Sequence, residues 1–341
     1  MKIYSLAFLW FIPIVSGLLF NPIVIGFPFL FPITDSQQES NKNKPEVANI
    51  VFKSTDGGET WQDISKGLPE TVIDDYGVGR NVFFADENGL YLTAGKGMYH
   101  SKPNSTAPFW TKEIFPHEHN SITPGNTRIF AYNYWGGILQ KTTGMSMWLP
   151  VFTNFQEERI RSIFETAGGS IFIGSDKGLF KSIDKGATWK LVYAGGLVGK
   201  LAESNGVLLA TSMNGIIRSA DNGENWTLVI SEGGVGIAVE RIKGGFAAIT
   251  FNTQSKTRRM RTSYDGGKTW QPIDAGLKAQ LSMASIIQVG ENLFCGHPTG
   301  IFRSADKGKT WKLLLPSIGD KVFSLSVSGN VIYAIPRNEG C

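Results

Sequence analysis

One eight-residue string recurs along this chain and constrains its fold more than any other feature. It reads STDGGETW at 54–61, SIDKGATW at 182–189, SADNGENW at 219–226, SYDGGKTW at 263–270 and SADKGKTW at 304–311, a pattern of S-x-D-x-G-x-[TN]-W. Two eroded copies fill the gap: SKPNSTAPFW ending at Trp110 and KTTGMSMW ending at Trp148. The seven tryptophans stand 49, 38, 41, 37, 44 and 41 residues apart. A period of about 40–45 residues is that of one four-stranded blade. The segments between the boxes repeat a strand grammar. Before Trp226 run VGKLAES, a turn at Asn205-Gly206, VLLATS, a turn at Asn214-Gly215, and IIRSA. Before Trp311 run MASIIQV, Gly290-Glu291-Asn292, LFCGH, Thr299-Gly300 and IFRSA. Short apolar strands divided by glycine-containing turns are hairpins, and 40 glycines in 341 residues supply them. The expected fold is all-β, a seven-bladed propeller. Six blades are complete. The seventh is assembled from NIVFKS and WQDIS at one end of the chain and KVFSLSVSG and NVIYAIPRN at the other. Such a 2+2 closure leaves no open edge in the ring.

The boxed string resembles the Asp-box, or BNR repeat, found in sialidases, sortilin-type receptor domains and photosystem II assembly-factor propellers. The resemblance covers about residues 46–338. Those families do unrelated things, so the repeat implies a fold rather than an activity. In them the boxes lie at the periphery, away from the active-site mouth. A structural role is expected here too. Asp56, Asp184, Asp221, Asp265 and Asp306 accept backbone N–H bonds within their own turns. The glycine two positions on, such as Gly58 or Gly186, takes a left-handed conformation. Trp61, Trp189, Trp226, Trp270 and Trp311, with the two tryptophans of the eroded copies, are expected to be buried between blades.

Outside the repeats, Lys2 is followed by an uncharged stretch, Ile3 to Thr34. It begins like the n- and h-region of an export signal and runs on long enough for an anchor. Both readings place the rest of the chain outside the cytoplasm, secreted or tethered to a membrane through residues 3–34. Residues 1–34 are thus signal or anchor, 35–45 a polar linker (DSQQESNKNKP), and 46–341 the propeller. The net charge of +4 is too small to argue for nucleic acid. The two cysteines, Cys295 and Cys341, exclude a disulfide scaffold. No bond between them is expected, because one lies inside a strand and the other ends the chain.

The sialidase resemblance implies an arginine triad clamping a carboxylate, a Tyr–Glu nucleophile pair and an aspartate acid/base. The first arginine belongs to an [FY]-R-I-P string before the first box, where this chain has PEVANIVFK. The look-alike AIPRN at 334–338 has another order and sits at the wrong end. Arg80, Arg128, Arg161 and Arg241 are inner arginines without a motif. His117-Glu118-His119 places two imidazoles two residues apart, with no third metal ligand in view. No catalytic residue, metal ligand or cofactor is therefore assigned. The candidate ligand face is the one carrying the turns between second and third strands and the connections between blades. It holds Tyr132, Tyr134 and Trp135 of FAYNYWGG, His297 of CGHPTG, and the basic run Lys256, Arg258, Arg259 and Arg261. The reading that follows is a non-catalytic extracytoplasmic scaffold for a protein or glycan partner. A sialidase-like glycoside hydrolase and an assembly factor for a membrane complex are the alternatives.

Overall fold

The computed structural model describes residues 50–69, 82–94, 97–116, 121–151, 155, 159–280 and 282–338. The N-terminal segment and linker, Arg80, His117-Glu118-His119 and Cys341 lie outside the described residues. All regular structure described is β, in seven antiparallel four-stranded sheets. Blade one is Phe83–Asp86, Gly89–Ala94, Gly97–Ser101 and Thr111–Glu113. Blade two is Ser121–Pro124, Arg128–Tyr132, Ile138–Thr142 and the very short Leu149–Pro150. Blades three to six lie within 160–193, 198–230, 233–272 and 285–316. In each, strand order follows chain order from the inside of the ring outward. The first strand of every blade touches the first strand of the next, all the way round.

Blade seven closes the ring as expected. Its inner strands are Val322–Ser328 and Val331–Arg337, and its outer ones are Phe52–Ser54 and Gln62–Asp63. Phe52 pairs with Ala334, Lys53 with Tyr333 and Ser54 with Ile332.

Successive side chains of a strand point to opposite faces, so each blade feeds two cores. Phe246 and Ala248 pack toward blade four, and Ala247 and Ile249 toward blade six. The result is seven interblade cores, each resting against one box tryptophan. Those tryptophans are half-buried, which corrects the expectation of full burial. The box turn sits at the outer part of the sheet. The indole packs one side on the core, while its N–H end reaches a backbone carbonyl near solvent. Trp61, Trp189, Trp226 and Trp270 donate to their own box glycine at 3.0–3.2 Å. Trp110, Trp148 and Trp311 instead reach back to the preceding blade, to Ile64 O, Ile114 O and Ile273 O at 2.6–2.9 Å.

The box is a closed hydrogen-bond unit. In blade four, Ser219 Oγ accepts from the Gly223 N–H at 2.9 Å and donates to Asp221 Oδ1 at 2.7 Å. Asp221 Oδ1 accepts from the Asn225 N–H at 3.0 Å, and Oδ2 from its side-chain amide at 2.7 Å. The two residues after the aspartate both have positive φ, for example 60° at Asn222 and 81° at Gly223. A Cβ on Gly223 would run into the Phe172 ring, so that position needs glycine for space as well as conformation.

Candidate functional site

Because the strands alternate in direction, the box turns occupy one face of the ring. The turns between second and third strands share the other face with the connections between blades. Blade two presents there the turn 133–137. Asn133 Oδ1 accepts the N–H groups of Trp135 and Gly137 at 2.9 and 3.1 Å, an Asx-type turn that fixes the two aromatic residues. Tyr132, at the strand end, is buried in the core shared with blade three. Tyr134 donates its hydroxyl to Asp176 Oδ2 at 2.9 Å. Asp176 belongs to the equivalent turn of blade three. Trp135 stands against the Tyr134 ring, centroids 5.1 Å apart and edge-on, with 73% of its surface exposed.

Two arginines that lead into blade three complete the cluster. Arg161 Nε donates to Asp176 Oδ1 at 2.5 Å, and its guanidinium lies 4.9 Å from the Tyr134 centroid. Arg159 reaches Asp176 Oδ2 at 3.6 Å and lies 5.7 Å from the Tyr134 centroid and 6.0 Å from that of Trp135. Burial pushes the Asp176 carboxyl up. Hydrogen bonds from Arg161 and Tyr134 outweigh that effect and hold it below the ordinary carboxylate value. Two cations thus share one carboxylate, and the surplus positive charge falls on Arg159, whose side chain is 57% exposed. An exposed indole beside an exposed guanidinium, both set on a hydrogen-bonded base, can take a planar or anionic group. Sequence reasoning named Tyr134, Trp135 and Arg161 but missed Arg159 and Asp176. The available signals were the alternation Arg159-Ile160-Arg161 into a strand and the turn Asp176-Lys177-Gly178.

The other candidate residues are placed apart from this cluster. His297, on blade six, is buried. Its Nδ1 lies 2.7 Å from Thr299 Oγ1 and accepts from the Thr299 N–H at 3.2 Å, and its Nε2 donates to Lys278 O at 2.9 Å. Burial lowers its pKa, so the imidazole is neutral. The basic run of blade five is largely engaged. Arg258 is buried and donates to Met283 O at 2.6 Å, Arg259 pairs with Asp274 at 2.6 Å, and Arg261 pairs with Glu232. Lys256 is exposed at the hairpin tip, with φ 53°. Of the inner arginines, Arg128 pairs with Glu165 at 2.9 Å, toward the box face, and Arg241 is exposed. Among the described residues no three His, Cys, Asp or Glu side chains come together in a way that could hold a metal ion.

The BNR/Asp-box repeat model matches residues 52–63 and 261–272, the last strands and boxes of blades seven and five. No curated protein sequence matches the chain. Among solved structures, the GH74 xyloglucanase from Xanthomonas campestris is similar over 82% of this chain and 53% of its own, with 15% identity and a TM-score of 0.60. An ancestral GH74 enzyme is similar over 84% of this chain and 45% of its own, with 14% identity and a TM-score of 0.58. This chain therefore spans about half the length of those enzymes. YCF48 bound to a D1 peptide is similar over 79% of this chain and all of its own, with 13% identity and a TM-score of 0.54. At these identities the likeness establishes the fold. The repeat is the Asp-box repeat, and the architecture is a seven-bladed propeller.

Proposed function

We propose that this Asp-box propeller is a non-catalytic extracytoplasmic scaffold that holds a protein partner on the face opposite its boxes. The observation that carries the reading is the exposed Trp135–Arg159 pair on its Tyr134–Arg161–Asp176 base. Tryptophan, tyrosine and arginine are the residues that dominate binding energy at protein interfaces. The carboxylate of the cluster is held ionised by two arginines and a tyrosine, which suits a positioning role and removes it as a proton donor. YCF48, similar in fold and length, was solved with a bound peptide, and that supports a polypeptide ligand. The extracytoplasmic placement rests on the uncharged stretch from Ile3 to Thr34.

The test presents the purified full chain to a peptide array rich in acidic and aromatic sequences, a glycan array, and fluorogenic sialosides and β-glucosides. Peptide binding that weakens at least ~30-fold in Trp135→Ala and in Arg159→Glu, with the circular dichroism spectrum unchanged, is the expected result. Binding that the two variants leave untouched refutes the site. Glycan hits alone refute the protein partner, and turnover of either glycoside refutes the non-catalytic reading.

A further inference from the structure

The two eroded boxes are adjacent, in blades one and two, and a groove of about 640 Å³ opens between those blades on the box face. In blades three, four and six the residue before the box serine reaches across to the next blade's box turn. Lys181 meets Glu224 at 2.6 Å, Arg218 donates to Gly266 O at 2.6 Å, and Arg303 donates to Gly57 O at 3.2 Å. In blade one that position is His100, and the ring does not cross. It lies flat on Tyr91, centroids 4.1 Å apart with planes 1° from parallel, and Tyr91 in turn stacks on Phe84 at 5.0 Å. His100 Nε2 lies 3.0 Å from Asn88 O, and Nδ1 lies 3.7 Å from Glu113, which also pairs with Lys141. Three near-parallel rings therefore end at an imidazole of fixed orientation that lines the groove.

The geometry points to a binding site for a planar aromatic side chain presented by an extended polypeptide. A ring seated in the groove would meet the exposed edges of Tyr91 and His100, in the edge-to-face arrangement and at the 4.5–7 Å spacing that aromatic pairs favour. The volume lies within the range of ordinary ligand pockets. The rim supplies what a peptide needs beyond the ring. Ile114 (77% exposed) and Met145 (63%) flank the groove, and Met147 (67%) continues the apolar surface beyond it. Methionine adapts to varied partners. Glu113 ends the outer edge strand of blade one, beside Ile114, where an extended chain could run. This site is on the opposite face from Trp135, so its test and that of the scaffold reading fail independently.

The experiment titrates the full chain with N-acetyltryptophanamide, with N-acetylleucinamide, and with a pentapeptide carrying tryptophan at its centre. The expected result is saturable binding of the indole probes, an upfield shift of the His100 ring protons, and tighter binding of the pentapeptide than of the amide. His100→Ala should weaken binding about tenfold, and His100→Phe, which keeps a ring, should retain it. The shift on the wild-type chain is decisive even if His100→Ala fails to fold. Absence of that shift, or equal binding of the leucine probe, overturns the aromatic site. A pentapeptide that binds no tighter than the amide overturns the polypeptide ligand.

Discussion

Ring closure concentrates stability in a few residues at the N-terminal edge of the propeller. Ile50, Val51, Phe52 and Ile64 are all at most 7% exposed, and they divide between the cores that blade seven shares with blades one and six. Phe52 meets Phe323 edge-on at 6.1 Å, and three ladder pairs join its strand to Ile332–Ala334. Burying such side chains is worth roughly 1.5–3 kcal/mol each, so the four contribute roughly 6–12 kcal/mol as an upper estimate. That equals most of the ~5–15 kcal/mol that holds a typical domain folded. Deleting residues 46–66 should therefore leave no cooperative unfolding transition, whereas deleting 1–40 should leave the midpoint unchanged. The graded version is Phe52→Ala, expected to cost about 3–5 kcal/mol, against exposed Lys66→Ala, expected to fall within ~0.5 kcal/mol of wild type. Urea titration followed by tryptophan fluorescence reads both. A cooperative transition at an unchanged midpoint after loss of 46–66, or equal midpoints for Phe52→Ala and Lys66→Ala, would refute the closure argument.

Trp189→Ala should destabilise by about 2–3 kcal/mol, below the ~3–5 of a fully buried aromatic, because only part of its indole packs on Phe155 and its neighbours; a thermal melt checks it. In acid, the boxes should fail together. Hydrogen bonds from Thr60, Thr188 and Thr310 hold Asp56, Asp184 and Asp306 down to about 2, and Asp221 and Asp265 lie lower still. Depressed carboxylates contribute stability fully above the unfolded value near 3.8 and lose it as pH falls through the folded values. Stability should drop from about pH 4 toward pH 2, little affected by salt because the partners are uncharged, and Asp184→Asn should flatten part of the drop. Lys185 has φ 61° where blade four has asparagine at φ 60°. Lys185→Asn should stabilise by roughly 0.5–1 kcal/mol, since asparagine tolerates that conformation better, which differential scanning calorimetry would show as a rise of a few degrees.

The fold was legible because its signals are local and repeated. The box turn is specified by a serine, an aspartate and a threonine or asparagine whose hydrogen bonds close within the turn, so each copy announces itself wherever it stands. Closure was legible by subtraction, once two strands were left over at each end. The depth of the tryptophans was not legible, because equal phase along the sequence says which element a residue belongs to and not how far out on the sheet it sits. The site was read unevenly. Tyr134 and Trp135 stood out as an aromatic pair in a turn. Arg159 and Asp176 are brought to them from the neighbouring blade three, by a geometry that exists only once the sheets are packed. The basic run of blade five misled in the opposite way. Its arginines look like a free patch in sequence, but Glu232 and Asp274, in the connections on either side, take up two of them, and the third points into the protein.

Blade two shows how the outer part of a blade is held without an intact box. Lys141 stands where the box serine would be, and it bonds Glu113 of blade one while lying 5.4 Å from the Trp148 centroid. Trp148 still packs on the core between blades one and two and donates to Ile114 O. The ion pair and the indole thus hold the outer part of the blade without the aspartate turn. The same blade carries Tyr134 and Trp135 at its other end, placed by Asn133 and by the strands Arg128–Tyr132 and Ile138–Thr142, whose pairing is regular. The box turn can change while the opposite turn keeps its geometry, because five rungs of ladder separate them. One end of each blade secures the ring, and the other is free to vary its surface. A change in the first alters stability or opens a groove, and a change in the second alters the surface of the opposite face. On this architecture Asp176→Asn should weaken peptide binding while leaving every box melt unchanged, and Asp184→Asn should do the reverse.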